Sequence, residues 1–263
     1  MELPLHQVDA FTNRVFGGNP AAVIQLESWL EDSLLLSIAQ ENNLSETAFL
    51  VKESTGYRIR WFTPAFEVDL CGHATLASAH VLFETGQIDG PELRLQSRSG
   101  ELIVRRDDDR LVLDFPADPP EPIEYDDALA AALGRDPVAF FTGRYHLAVF
   151  ETASAVAALK PDMSKLSQHP ALAVVATAPG EDCDFVSRFF GPRVGVPEDP
   201  VTGSAHCLLV PYWKHQLGRS ELHARQISAR GGELHCEDRG ERVLIAGQAV
   251  SYLVGRITVP DPA

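Results

Sequence analysis

The sequence predicts an α+β fold in two pseudo-symmetric halves, each a curled, mostly antiparallel sheet around one central helix. Three observations predict it. A strand–turn–helix unit occurs twice: Arg60-Trp61-Phe62-Thr63-Pro64 leads to Asp69-Leu70-Cys71-Gly72-His73-Ala74 and an apolar helix, and Arg188-Phe189-Phe190-Gly191-Pro192 leads to Asp199-Pro200-Val201-Thr202-Gly203-Ser204-Ala205 and a second one. That spacing is far too long for a solenoid repeat and points to a duplicated fold. Around each copy lie many short strand-like runs, the pattern of a sheet wrapped on a helix. Finally, 263 residues divide naturally into two domains of about 130.

The elements follow in order. Leu5–Phe11 alternates as an opening strand, and the turn-rich stretch Asn13–Asn19 leads to a second strand, Ala21–Gln25. Leu34, Leu35, Leu36, Ile38 and Ala39 have the apolar spacing of an amphipathic helix over 31–41, ended by Asn42-Asn43. Ser45–Val51 and Tyr57–Phe62 read as paired strands around Glu53-Ser54-Thr55-Gly56. Pro64 stops the second of these, since proline brings no N–H to a ladder. After the first central helix, Glu92–Gln96, Glu101–Arg105 and Leu111–Phe115 form a meander.

Ala117-Asp118-Pro119-Pro120-Glu121-Pro122 reads as an extended, semi-rigid linker. The expected domains are therefore 1–117, completed by the C-terminal strand 249–263, and 118–248. In the second, helices are expected at Asp126–Leu133, Ser154–Lys160, Asp162–Gln168 and Ala205–Gln216. Strands are expected at Ala139–Thr142, Tyr145–Glu151, Leu172–Thr177, Cys183–Phe190, Arg225–Ala229, Glu233–Glu237, Arg242–Gly247 and Ala249–Ile257.

Composition limits the function. Hydrophobic residues make up 45% of the chain, enough for a sizeable core in each half. A net charge of −15 without any basic run argues against nucleic acid and anionic membrane as partners. The four cysteines are widely spaced and form no Cys-x-x-Cys, which argues against a disulfide framework or zinc ribbon. No apolar run reaches membrane-spanning length, and the N-terminus lacks the features of a signal peptide, so a cytoplasmic protein is expected.

Several residues could carry chemistry. Glu46 stands at the start of an apolar strand, where lost solvation would raise its pKa toward the working range of an acid–base group; a solvent-facing glutamate at a strand start is the plainer alternative. His73, in the first helix-start turn, could donate to a substrate or relay a proton, or could simply be packed there. Asp69 and Asp199 suit helix capping, or one could accept a hydrogen bond from a substrate. Gly72, Gly203 and Ser204 sit where helix-start amides face outward and suit a carboxylate; for Gly203-Ser204-Ala205 alone, a plain helix start is the readier reading. Cys71, at a helix N-terminus, could be a low-pKa thiolate. Its counterpart in the second copy is not cysteine, which favours a buried small side chain over a two-cysteine epimerase. Cys71-x-His73 and His206-Cys207 lack the usual metal-ligand spacings. No nucleotide, flavin or pyridoxal motif occurs, so neither a cofactor nor a metal is expected.

Taken together, Gln7-Val8-Asp9-Ala10-Phe11-Thr12, Gly18-Asn19-Pro20-Ala21-Ala22-Val23, Asn43-Leu44-Ser45-Glu46-Thr47-Ala48-Phe49, Asp69-Leu70-Cys71-Gly72-His73-Ala74-Thr75 and Glu198-Asp199-Pro200-Val201-Thr202-Gly203-Ser204-Ala205-His206 resemble the PhzF family of phenazine-biosynthesis-like isomerases. The resemblance runs from residue 7 to about 206. It implies a diaminopimelate-epimerase-like fold, an active site between the domains and cofactor-free acid–base chemistry on a small carboxylated metabolite. It also implies a homodimer. Carried over by motif, Glu46 moves the proton, His73 and Asp199 assist catalysis, and Gly72, Gly203 and Ser204 bind substrate. The substrate of the family's characterised isomerase is trans-2,3-dihydro-3-hydroxyanthranilate, and nothing in this sequence selects that ring. An amino-acid-type racemase or epimerase, and a non-catalytic metabolite-binding protein of the same fold, are the alternatives.

Overall fold

The structure is a computed structural model and describes residues 1–261. In chain order it contains β1 (Glu2–Ala10), β2 (Asn19–Leu26), α1 (Asp32–Asn42), β3 (Glu46–Glu53), β4 (Gly56–Phe62), β5 (Glu67–Val68), α2 (Gly72–Glu84), β6 (Glu92–Ser97), β7 (Gly100–Asp107) and β8 (Arg110–Pro116). There follow β9 (Glu121–Ile123), α3 (Asp127–Leu133), β10 (Ala139–Thr142), β11 (His146–Val149), α4 (Ala153–Ala157), α5 (Met163–Gln168), β12 (Val174–Pro179) and β13 (Phe185–Gly191). A 3₁₀ turn at Pro192–Val194 precedes β14 (Val196–Asp199), α6 (Gly203–Leu217), β15 (Glu221–Gln226), β16 (Gly232–Asp238), β17 (Arg242–Gly247) and β18 (Ala249–Thr258). The chain forms two compact units, Met1–Asp114 with the segment from Ala246 onward, and Phe115–Ile245. Among the described residues no helix is long and apolar enough to cross a membrane.

In the first unit, β1 pairs antiparallel with β2 on one side and with β18 on the other. β2 runs parallel to β3, and β3 forms an antiparallel hairpin with β4. The parallel pair explains the sequence of β3. A strand covered on both faces reads as a continuous apolar run rather than an alternating one, and Thr47–Val51 is buried throughout. Phe49, Val51 and Phe62 pack with Leu35, Ile38 and Ala39 of α1. Side chains alternate along a strand, so Glu46, Ala48 and Leu50 face the other way. That is the side of α2, which packs on β1, β2, β3 and β18. Its residues Gly72–Ala79 are all buried, as are Val81–Phe83. The small side chains of Gly72, Ala74, Ala77 and Ala79 give the helix the slim surface that such enclosure needs. At the other helix of this unit, Asn43 takes a left-handed conformation and returns its N–H to the Ala39 carbonyl, closing α1.

The second unit has a core of its own, in which Leu129, Leu133, Phe140, Phe150, Val174 and Phe190 are buried together. Asp126, Thr152 and Asp162 cap α3, α4 and α5 with side-chain oxygens. α6 packs on β15 and β16 and carries Pro211 in its interior. Proline has no N–H to give the carbonyl four residues back, that of Cys207. The Asp118 N–H supplies it instead, at 2.9 Å. The helix therefore tolerates its proline because a neighbouring segment completes the ladder.

Three expectations need correction. The Pro-rich stretch is not wholly a linker, because β9 begins at Glu121 and pairs with β10. The strand expected at Arg225–Ala229 lies at β15 instead, ending at Gln226. Beyond it Ser228 turns the chain, donating its hydroxyl to the Pro200 carbonyl and accepting the Gly231 N–H. The short strands β5 and β14 were not expected: β5 has only two residues, and β14 follows directly on the 3₁₀ turn at Pro192–Val194.

Gly18 joins β1 to β2 with φ +60°, and a Cβ there would stand 2.1 Å from the Ala10 carbonyl oxygen. Gly18→Ala should cost about 2 kcal/mol or more, from the left-handed backbone and the clash combined. The expected observation is a lower denaturation midpoint at unchanged m-value.

Candidate functional site

The first strand–turn–helix unit assembles a cluster of polar groups inside apolar surroundings. Glu46 is the first residue of β3, opposite Ala21 of β2. His73 is the second residue of α2, and Cys71 is its extended N-cap. Because Phe49 and Val51 commit one face of β3 to α1, Glu46 must face α2. A register slip of one residue would send it to the wrong side.

The result is a close pair. Glu46 Oε2 lies 3.1 Å from His73 Nε2, with the side chains only 16% and 5% exposed. The distance is that of an ion pair, yet the two atoms are not aligned as a hydrogen bond, and neither has another hydrogen-bonding partner. Both therefore retain capacity for a ligand. On the opposite side of the ring, Nδ1 lies 3.1 Å from Asn19 Nδ2 and 3.5 Å from Cys71 Sγ. Glu46, Cys71 and His73 each bring one ligand-type atom within 4.8 Å of the other two. Local spacing hid this cluster, because Glu46 comes from a different element.

Burial sets the protonation states. Burial and the Glu46 charge push the Cys71 thiol pKa up, with partial opposition from His73. Of the two readings of Cys71, the favoured one, a buried small side chain, agrees with the structure: desolvation outweighs the helix N-terminus and favours the protonated thiol. For His73, burial acts downward, but interaction with Cys71 and Glu46 outweighs it and the net shift is well upward. The ion-pair distance to the Glu46 carboxylate favours the protonated ring.

The second unit repeats the backbone but not the chemistry. Asp199 is buried at the end of β14 and accepts the Thr202 hydroxyl proton. Gln226 ties the turn together: its Oε1 accepts the Thr202 N–H at 2.8 Å, and its Nε2 donates to the Asp199 carbonyl at 2.8 Å. Ser204 Oγ lies 3.0 Å from the Tyr145 hydroxyl. Neither Asp69 nor Asp199 is the N-cap residue: the N-caps are Cys71 and Thr202, neither making a side-chain cap. The Asp69 side chain is largely exposed, 3.7 Å from Arg98. His206 is fully buried and donates Nδ1–H to the Thr202 carbonyl at 2.8 Å. Burial pushes its pKa down to about 4, so it is neutral.

Sequence reasoning brought out Glu46, His73, Gly72, Asp199, Gly203 and Ser204, and the structure gathers them at the two turns, three in each unit. It did not assign roles to Asn19, Thr202, Gln226 or Tyr145. Asn19 lies in the Gly18-Asn19-Pro20 motif, which was its available signal; Gln226 and Tyr145 had none.

Comparison with known proteins agrees with this architecture. The family described as phenazine biosynthesis-like protein, PhzC-PhzF, matches residues 8–255. An uncharacterized isomerase of Pseudomonas aeruginosa is 55% identical, covering 98% of this chain and 99% of its own. A PhzF-family phenazine biosynthesis protein of Enterococcus faecalis superposes with a TM-score of 0.96 at 45% identity, over 98% of this chain and all of the other. A hydroxyproline epimerase of Agrobacterium vitis shares the fold at a TM-score of 0.63 and 14% identity, with 99% and 94% covered. The fold class is thus the expected α+β, shared with PhzF proteins and epimerases.

Two titrations of opposite sign follow. His73 should stay protonated through the range where a free imidazole, pKa about 6.5, loses its proton, as read by ¹⁵N NMR, and Glu46→Gln should lower its pKa. Because its folded value is raised, its contribution to stability is full below about pH 6.5 and is lost as pH rises through the folded value. His206 acts oppositely: its stabilisation is present above about pH 6.5 and is lost as pH falls toward about 4. Replacing His206 with Gln should flatten the acid limb of the stability profile.

Proposed function

The chain belongs to the PhzC-PhzF family of phenazine biosynthesis-like proteins, and from that premise we propose that it is a cofactor-independent isomerase that moves a proton within a small carboxylated substrate. The observation that carries the reading is the buried Glu46–His73 pair, whose facing atoms approach to 3.1 Å without satisfying one another. The isomerase class is supported by the relatives, which are named as isomerases.

In this reading Glu46 removes a proton from an acidic carbon of the substrate and returns it to another carbon, so the net change is isomerisation. A positioned carboxylate can hold such a role. His73, as an imidazolium, balances the Glu46 charge before the transfer and faces the negative charge that develops on the substrate during it. The amides of Gly72 and His73 open α2 with no carbonyl four residues back, and they suit a substrate carboxylate. Gly203 and Ser204 offer the corresponding amides at the start of α6. Asp199 organises that turn through Thr202; with its carboxylate engaged there, we assign it to positioning rather than to proton transfer. Burial of the protonated Cys71 thiol speaks against a thiolate base and hence against the cysteine-type epimerase alternative.

The test uses NMR in D₂O across a panel of cyclic and amino-substituted carboxylic acids. Turnover should put deuterium on carbon with migration of a double bond, and Glu46→Gln should slow it by about 10²–10⁴-fold. Exchange at a stereocentre without migration would instead make the protein a racemase or epimerase. Wild-type exchange in Glu46→Gln would remove Glu46 from the reaction.

A further inference from the structure

We propose that Glu46, Cys71 and His73 also form a zinc-binding site, at which a divalent zinc ion reversibly blocks the proton-transfer pair. The three residues are the carboxylate, thiol and imidazole that zinc prefers. Usual zinc bond lengths of about 2.3 Å to sulfur and 2.0–2.1 Å to nitrogen place the two donors of a tetrahedral site about 3.5 Å apart. Cys71 Sγ and His73 Nδ1 are 3.5 Å apart before any metal arrives. The Glu46 ligand atom already lies within 4.8 Å of ligand atoms on the other two residues, and metal binding draws the carboxylate away from His73 Nε2, which it faces at 3.1 Å without an aligned hydrogen bond. Asn19 yields Nδ1 to the metal, and the fourth position is left to a water or to an oxygen of a small ligand.

The exchange balances: when Zn²⁺ binds, the Cys71 thiol proton and any proton on His73 Nδ1 leave to solvent, and the dication faces a thiolate, a neutral imidazole and a carboxylate. No bond to carbon is made or broken, and nothing is oxidised. Sequence spacing concealed the arrangement, because Cys71-x-His73 becomes a three-donor set only when β3 delivers Glu46.

The inhibitory consequence rests on the catalytic reading above, but the site itself is tested without turnover. Cys183 is the only one of the four cysteines that is not buried, so the measurements use Cys183→Ser protein. One equivalent of Co²⁺ should produce a thiolate-to-cobalt absorption that Zn²⁺ displaces. X-ray absorption of the zinc form should show one sulfur near about 2.3 Å with lighter donors near about 2.0 Å. Cys71→Ser in the same background should abolish the band and weaken Zn²⁺ binding more than about tenfold, since losing a ligand exceeds losing an outer-shell partner. Should that variant fail to fold, alkylation of the parent protein mapped by peptide mass spectrometry decides, and Zn²⁺ must protect Cys71. A shell of oxygen and nitrogen alone, a band that survives Cys71→Ser, or Cys71 alkylated equally with and without Zn²⁺ overturns the site. A cobalt–thiolate band alongside undiminished exchange in Glu46→Gln would retain the metal site and discard the catalytic reading; Glu46-dependent exchange without any band would do the reverse.

Discussion

A carboxylate and an imidazole withdrawn from water together set the terms for the first unit. Burying either charge alone would cost several kcal/mol, whereas burying both at ion-pair distance lets each offset the other's desolvation. Removing one partner would strand the other. The pair therefore demands an accurate surround: β3 held between two helices, α2 starting at the right height, and a thiol that stays neutral beside them. Cys71 meets the last condition because the same burial that threatens the ion pair keeps its proton in place.

The duplicated architecture carries two different electrostatic solutions. At α2 a charged histidine meets a glutamate. At α6 a neutral histidine donates to a backbone carbonyl, while Asp199, Thr202 and Gln226 hold the turn in a closed network of hydrogen bonds. His206 Nε2 is left without a partner at the second turn, where Asp199 is bonded to Thr202; at the first turn the carboxylate oxygen Glu46 Oε2 and the ring atom His73 Nε2 are both left so. Unmet hydrogen-bonding capacity in a buried place is costly, so its concentration beside Glu46 and His73 marks that turn as the one with work to do on a ligand. The second motif has helix-start amides but no counterpart of the Glu46–His73 pair.

Much of the fold is legible in the residues. The apolar spacing of α1, the hairpin of β3 and β4, the meander of β6, β7 and β8, and both slim central helices follow from periodicities that act over a few residues. β17 lies where alternation put it, from Arg242 to Gly247. What escaped has physical causes. β5 is too short to alternate, with two residues, and β14 is set by its pairing with β13 just after a 3₁₀ turn. β15 was displaced because Ser228 and Gly231 form a turn through bonds to Pro200 and each other, and no local pattern announces the first of those partners. The helix expected over Ala205–Gln216 contains Pro211, and no local pattern announces that Asp118 completes its ladder.

The sequence by itself determined the element types, the duplication, the family and the acidic residue at the head of β3, because each is written in neighbouring side chains or recurring motifs. Only the tertiary structure decided what those residues do to one another. Whether Glu46 faces α1 or α2 depends on how β3 is committed by Phe49 and Val51, and whether Cys71 is a thiolate depends on how completely it is enclosed. Both are properties of packing between elements distant along the chain, where desolvation and charge act through space and leave no trace in local order.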